Sequence, residues 1–238
     1  MSITKRLGFA LIAVALAACA APSNVDGPAL VEIEPRDFVL LPCGVSYADR
    51  PCLLAVAGGK RILFGAPAGA ITELREEDLR QLDAVIVLSL RAGDLEGLDE
   101  IRNESWRAGR DAPLLVIGPS GIELVSDALN KAFEQADALR IVAEGFPPGG
   151  YDAAVLVARP YSRDSIVFNT GDVVIEATGH GYRMAYNNQA VADLQACGTE
   201  IGEQEAGAEG VKLVSVVCAT ADGTHAWPVA EPIIIVDN

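Results

Sequence analysis

The chain has 238 residues, half of them apolar, with 33 acidic against 18 basic side chains and a net charge of −15. That is enough apolar material for a full-sized core and too much for a disordered chain. The excess of negative charge repels phosphate backbones and anionic headgroups, which argues against nucleic acid as a partner.

Lys5 and Arg6 precede an uncharged apolar run, Leu7 to Ala15, and Leu16-Ala17-Ala18-Cys19 follows it. The run is shorter than the roughly 20 residues of a membrane-crossing helix, so it reads as a cleavable export signal. The Leu-Ala-Ala-Cys sequence resembles the bacterial lipobox, which implies cleavage after residue 18 and acylation of the Cys19 thiol. An ordinary secretory signal cut at Ala-x-Ala, with Cys19 incidental, is the alternative. Ala20 stands where an acidic residue often retains lipoproteins at the inner membrane, so the resemblance favours the outer membrane and a periplasm-facing domain. Residues 1–18 are therefore expected to be the signal peptide. Residues 19–30, small, polar and Pro/Gly-containing, are expected to be the lipidated cysteine and a tether. A single domain over 31–238 follows. Without Lys5 and Arg6 the mature chain of 220 residues holds 16 basic against 33 acidic side chains, a net charge of −17.

Within the domain, 38–42 (FVLLP) and 52–57 (CLLAVA) read as strands, and Gly58-Gly59 makes a tight hairpin into Lys60–Phe64. Residues 72–82 place Leu74, Leu79 and Leu82 among charges, a helix with one apolar stripe. The run 84–90 (AVIVLSL) has the composition of a strand buried on both faces. Leu95, Leu98 and Ile101 then fall at helical spacing, with Trp106 near the helix end. Residues 114–118 (LLVIG) form another buried strand. Ser120 and Glu123 have the spacing of a capping box for a helix carrying Ile122, Val125, Leu129 and Phe133 on one face. From residue 139 on, short strands are expected over LRIVAEG, AAVLVA, SIVFNTGDVVIEA and GYRMAYNNQAV. This order specifies one α/β domain of packed sheets with outer helices.

Besides Cys19 there are four cysteines, at 43, 52, 197 and 218. An oxidising compartment permits disulfides, and Cys43 and Cys52 flank a short connection between two strands. They are the expected pair, with Cys197 and Cys218 joined by elimination; four free buried thiols are the alternative. No Cys-x-x-Cys spacing occurs.

Four stretches in this order and spacing resemble the metallo-β-lactamase superfamily, in its arylsulfatase and transfer-RNA-processing branch. They are Gly58–Phe64 as a hairpin, Asp83–Leu88 with Gly97-Leu98-Asp99 around the metal loop, Ser105-Trp106 with Gly109-Arg110 and Pro113–Gly121, and Gly181-Tyr182-Arg183 with Tyr186. The resemblance covers roughly residues 38–191 and implies an αββα sandwich, two packed sheets between outer helices. The family's metal loop, His-x-His-x-Asp-His, corresponds to Ser89-Leu90-Arg91-Ala92-Gly93-Asp94 here. Ser89 and Arg91 thus stand at the first two histidine positions, Gly93 at the aspartate and Asp94 at the third histidine. Gly65 replaces the acidic residue that ends the hairpin, and Gln195-Ala196-Cys197 replaces the late Gly-Asp-Thr. A two-metal site of this family uses about five histidines, and this chain has two, His180 and His225. Arg91 adds a fixed cation that repels Zn²⁺.

No metal and no other cofactor is therefore expected. His180 reads as a turn residue, and His225 sits near Trp227-Pro228. Asp94, Glu96, Asp99 and Glu100 read as first-turn carboxylates complementing a helix dipole rather than a calcium site. Arg91 and Asp94 are candidates for a buried pair filling the vacated loop. Gly118-Pro119-Ser120-Gly121 fails as a nucleophile elbow because residue 122 is Ile122, and Ser120 reads as a helix cap. The expected function is that of a lipid-anchored envelope protein whose degenerate domain binds or supports. Its ligand or envelope partner is unspecified. A hydrolase with a rebuilt site is the alternative.

Overall fold

The apolar runs of the first half pair into one sheet. Strands β1 (Phe38–Pro42), β2 (Leu53–Ala57) and β3 (Lys60–Phe64) form an antiparallel meander. Strands β4 (Ala84–Ile86), β5 (Leu114–Gly118) and β6 (Leu156–Pro160) extend it in parallel. The second half supplies β7 (Ser165–Asn169), β8 (Val173–Ala177), β9 (Gly181–Tyr186), β10 (Gln189–Gln195), β11 (Val214–Val217) and β12 (His225–Ala226) to the second sheet. Strand β13 (Ile233–Ile235) returns to pair with β1. Spatial order is β13-β1-β2-β3-β4-β5-β6 in the first sheet and β12-β11-β10-β9-β8-β7 in the second. The computed structural model describes residues 33, 37–43, 52–195, 214–217, 225–226 and 231–235, all within the unit Ile33–Asn238. The signal segment 1–18, Cys19, the tether, Cys197 and Cys218 lie outside the described residues.

Side-chain alternation divides the core in two. Leu53, Ala55, Ile62, Phe64, Ala84 and Ile86 point at the second sheet, where Val173, Ile175, Tyr182, Met184 and Leu194 meet them. Their neighbours Leu54, Val56, Leu63, Val85, Leu114 and Val116 face the helices. Strands covered on both sides have no polar face to show, which is why they read as continuous apolar runs. The second sheet keeps the inward/outward alternation, as in β9 with Tyr182, Met184 and Tyr186 inward. The architecture is thus the two-sheet α/β sandwich expected from the sequence, with helices outside the first sheet.

Those helices are α1 (Glu76–Arg80), α2 (Ala92–Leu95), α3 (Leu98–Arg107) and α4 (Ile122–Glu144). Helix α1 is shorter than the stripe over 72–82 suggests. Its buried Asp78 is gripped by Arg61 at 2.9 Å and Arg75 at 2.8 Å, which ties the segment to β3 rather than letting a longer helix run. Residues 139–145, expected as a strand, instead complete α4. The half-buried face of Leu129, Phe133, Arg140 and Ile141 continues at helical spacing without a turn residue, and Gly145 at φ 88° is where the chain leaves it. Ser120 is exposed and is not the cap. Gly121 takes the N-cap place at φ 103°, its N–H donating to the Glu123 carboxylate at 3.0 Å.

Polar groups clamp the helix layer. Arg102 of α3 donates twice to Asp137 of α4, both nearly fully buried, and its guanidinium lies 5.1 Å from the Phe133 ring centre. Trp106 Nε1 donates to Gly150 O at 3.1 Å. Arg110 is buried beside them, donating to Ser105 Oγ at 3.1 Å and to Ala112 O. Burial, then the charge of Arg102, lowers its pKa to about 10. Cys43 and Cys52 are joined in a disulfide with Cα atoms 5.6 Å apart, at the edge of the helix-side core.

Candidate functional site

Parallel sheets present their ligand sites at the carboxyl ends of the strands, where loops diverge. In this fold that edge collects Gly65 after β3, Ser89 to Asp94 after β4, Pro119 after β5 and Tyr161 after β6. Backbone bonds hold these exits side by side: Gly65 N–H to Ile86 O at 2.8 Å, Val87 N–H to Ile117 O at 2.7 Å, and Tyr161 N–H to Gly118 O at 3.0 Å. The four positions expected from the metal-loop comparison are therefore together at the rim of the first sheet.

Their chemistry is inward and self-contained. The Ser89 hydroxyl donates to the Asp94 carboxylate and accepts the Arg91 N–H at 3.1 Å. Asp94 is buried, and burial raises its pKa above the usual carboxylate range, against the Ser89 hydrogen bond and the charge of Arg91. Gly93 sits half-buried within α2, in front of Asp94. Arg91 is exposed, and its charge acts on the buried Asp94 from the rim of the loop. Serine, one bond from Asp94, reaches the carboxylate without a cation having to be stripped of water.

The space between the sheets here is filled from the other side. Tyr182 of β9, 1% exposed, donates its hydroxyl to Val87 O at 2.9 Å. Its ring lies 5.9 Å from Phe64 and meets Tyr161 edge-on at 5.6 Å. Burial, with Tyr161 and the nearby Asp94 adding to it, raises the Tyr182 pKa far above that of a free phenol. Sequence reasoning placed Tyr182 on a late hairpin but missed this role. The period-two pattern Tyr182, Met184, Tyr186 is the signal that turns it inward.

A second set of contacts welds this loop to the one after β3. Ala66 N–H donates to Asp94 O at 3.1 Å and Gly97 N–H to Ala66 O at 2.8 Å, while Gly69 N–H reaches Glu100 at 3.0 Å. Gly97 has no room for a side chain, since a Cβ there would lie 2.1 Å from Pro67 O.

These residues do not fit a catalytic metal ion. Zinc sites need at least three nitrogen, sulfur or carboxylate ligands around an open position. Here the loop offers one carboxylate, already engaged by a hydroxyl, beside an arginine. Among the described residues no group of three His, Cys, Asp or Glu side chains is placed to hold a metal. His180 is exposed in the turn between β8 and β9, its N–H donating to Thr178 Oγ1 at 3.3 Å. At the opposite, amino end of the strands, a polar cavity of about 460 Å³ is lined by Arg80, Gln81, Asp83, Arg110 and Asp111 among others.

No protein-family model matches the chain, and no curated protein sequence matches it. Among solved structures it is similar to the short form of human tRNase Z, with a TM-score of 0.42 and 14% identity over 65% of this chain and 63% of that one. It is also similar to the metallo-β-lactamase fold protein YhfI from Bacillus subtilis, with a TM-score of 0.41 and 14% identity over 68% and 62%. A diphosphatase of the PhnP family gives 0.42 and 15% over 67% and 65%. The chain spans under two thirds of each of these proteins.

Proposed function

We propose that this protein is a lipid-anchored component of the cell envelope whose metallo-β-lactamase-like domain works by binding or by structural support, without metal-dependent catalysis. The observation that carries the reading is the occupied carboxyl edge of β4. Asp94 is bound by the Ser89 hydroxyl, and buried Tyr182 donates to Val87 O nearby. A catalytic edge would instead leave ligands pointing at a place for substrate and water. The anchor rests on Lys5, Arg6, the apolar run and Leu16-Ala17-Ala18-Cys19.

Two measurements test the two halves. Cells fed a labelled fatty acid should label the wild type, and Cys19→Ala should abolish the label and release the protein from membranes; a labelled variant removes the anchor. Separately, a ligand that binds only the folded state raises its melting temperature. EDTA should therefore leave the melting curve unchanged and zinc should add nothing. Activity on β-lactam, phosphodiester or thioester model substrates that disappears on chelation and returns with zinc overturns the non-catalytic half.

A further inference from the structure

Helix α4 carries an apolar face that nothing in the described structure covers. Positions 124, 128, 131, 135, 138 and 142 follow one another at steps of four and three, so they share the outward side of the helix. They hold Leu, Ala, Lys, Gln, Ala and Val, and all are exposed. Leu124 is 72% exposed and Val142 85%, with Leu139 at 69% and Phe146 at 73% beside them. The line's one ammonium, Lys131, pairs with Glu134, and exposed Asp127 flanks it next to Leu124. Leu124 lies near the start of α4, while Leu139, Val142 and Phe146 lie at its C-terminal end, where three large exposed apolar side chains exceed the scattered exposure normal for a soluble surface.

We infer that the outward face of α4 rests on the surface of a zwitterionic lipid bilayer. The inference stands on the lipid-anchor reading proposed above. Where the chain enters the domain supports it: Ile33 packs into the helix-side core, with Cys43, Cys52 and Leu54, so entry is on the layer that carries α4. Ile33 lies fourteen residue steps beyond Cys19, a reach of at most about 50 Å. Helix α4 packs on β5 and β6, about 20 Å across the sheet from β1 at the usual strand spacing. The tether length therefore allows the helix layer to lie flat on the membrane that holds the anchor. An anionic surface is disfavoured by the net charge, and neutral headgroups leave apolar burial to act alone. No described helix is long and apolar enough to cross a membrane, so α4 lies on the bilayer rather than through it.

The test uses mature protein carrying Phe146→Trp, purified from cells fed a labelled fatty acid. It is placed in phosphatidylethanolamine–phosphatidylcholine vesicles, with and without brominated acyl chains. Wild type, which carries Trp106 and Trp227, is the reference. Relative to wild type, the variant should show a blue-shifted emission and added quenching by bromine. Both should vanish when Leu139→Glu and Val142→Glu are combined with it, while the label on Cys19 is unchanged. A labelled protein whose residue 146 is not quenched overturns the inference and leaves the anchor standing. An unlabelled protein overturns both. A dimer in sedimentation that the two glutamates dissociate assigns the face to a second copy of the chain and overturns it as well.

Discussion

Replacing Gly97 by alanine should be among the most damaging small changes in this domain. At φ −101° and ψ 5° the residue sits in a conformation that other amino acids adopt, so the cost is steric and not conformational. The new Cβ would fall 2.1 Å from Pro67 O and 2.7 Å from Pro67 C, whereas carbon–oxygen contacts settle at about 3.3 Å or more. Relief requires the 66–67 segment or the start of α3 to retreat by about 1 Å. The same two segments are joined by the Gly97 N–H to Ala66 O and Ala66 N–H to Asp94 O bonds, at 2.8 and 3.1 Å. A retreat of that size breaks both. Each buried backbone group left unpaired costs about 1–3 kcal/mol, so the two lost bonds cost about 2–6 kcal/mol. Against a domain stability of about 5–15 kcal/mol that is a large fraction. Urea unfolding followed by circular dichroism and by the buried Trp106 should show a lowered midpoint with unchanged slope. Gly59→Ala is the control, because Gly59 has φ 72° but open space around its missing Cβ. Its cost is conformational strain alone, about 1–2 kcal/mol. Gly97→Ala no worse than Gly59→Ala would refute the steric account.

Asp94→Asn separates the buried charge from its hydrogen bond. A carboxyl whose pKa is raised by folding contributes stability that is fully present below its unfolded value of about 3.9 and is lost as pH rises through the folded value. The amide still accepts the Ser89 hydroxyl, so the variant should match wild type at low pH and exceed it toward neutrality; a lower melting temperature at pH 7 contradicts this. Asp137→Ala strands the Arg102 guanidinium in the helix layer and should cost about 3–5 kcal/mol in urea unfolding. Arg102→Met combined with Asp137→Leu should recover most of that loss, and failure to do so would mean the pair is not the cause. Opening the Cys43–Cys52 bridge with Cys43→Ser should cost about 2–3 kcal/mol. Reductant should then lower the melting temperature of wild type but not of the variant, and an equal drop in both would point to another bond.

Much of the fold was legible in the residues themselves because its signals are local. The Gly58-Gly59 hairpin follows from two glycines at positive φ, 55° and 72°, between apolar runs. The strands of the first sheet follow from runs too apolar to tolerate water on either side. The weak metal-ligand content of Ser89, Arg91, Gly93 and Asp94 was equally plain, because side-chain chemistry does not depend on the fold. The helix end was not legible: Ile141 and Val142 favour a strand by intrinsic preference, and the packing of Ile141 against Trp106, Ala153 and Ala154 overrode it. Which residue secures Asp94 was decided by geometry. Ser89 and Arg91 are both within reach in sequence, and in the folded loop the Ser89 hydroxyl donates to Asp94 while Arg91 stays exposed. Tyr182 lies 95 residues from the Val87 carbonyl it binds. No local pattern carries that contact, and it exists only because two sheets built from separate halves of the chain close face to face.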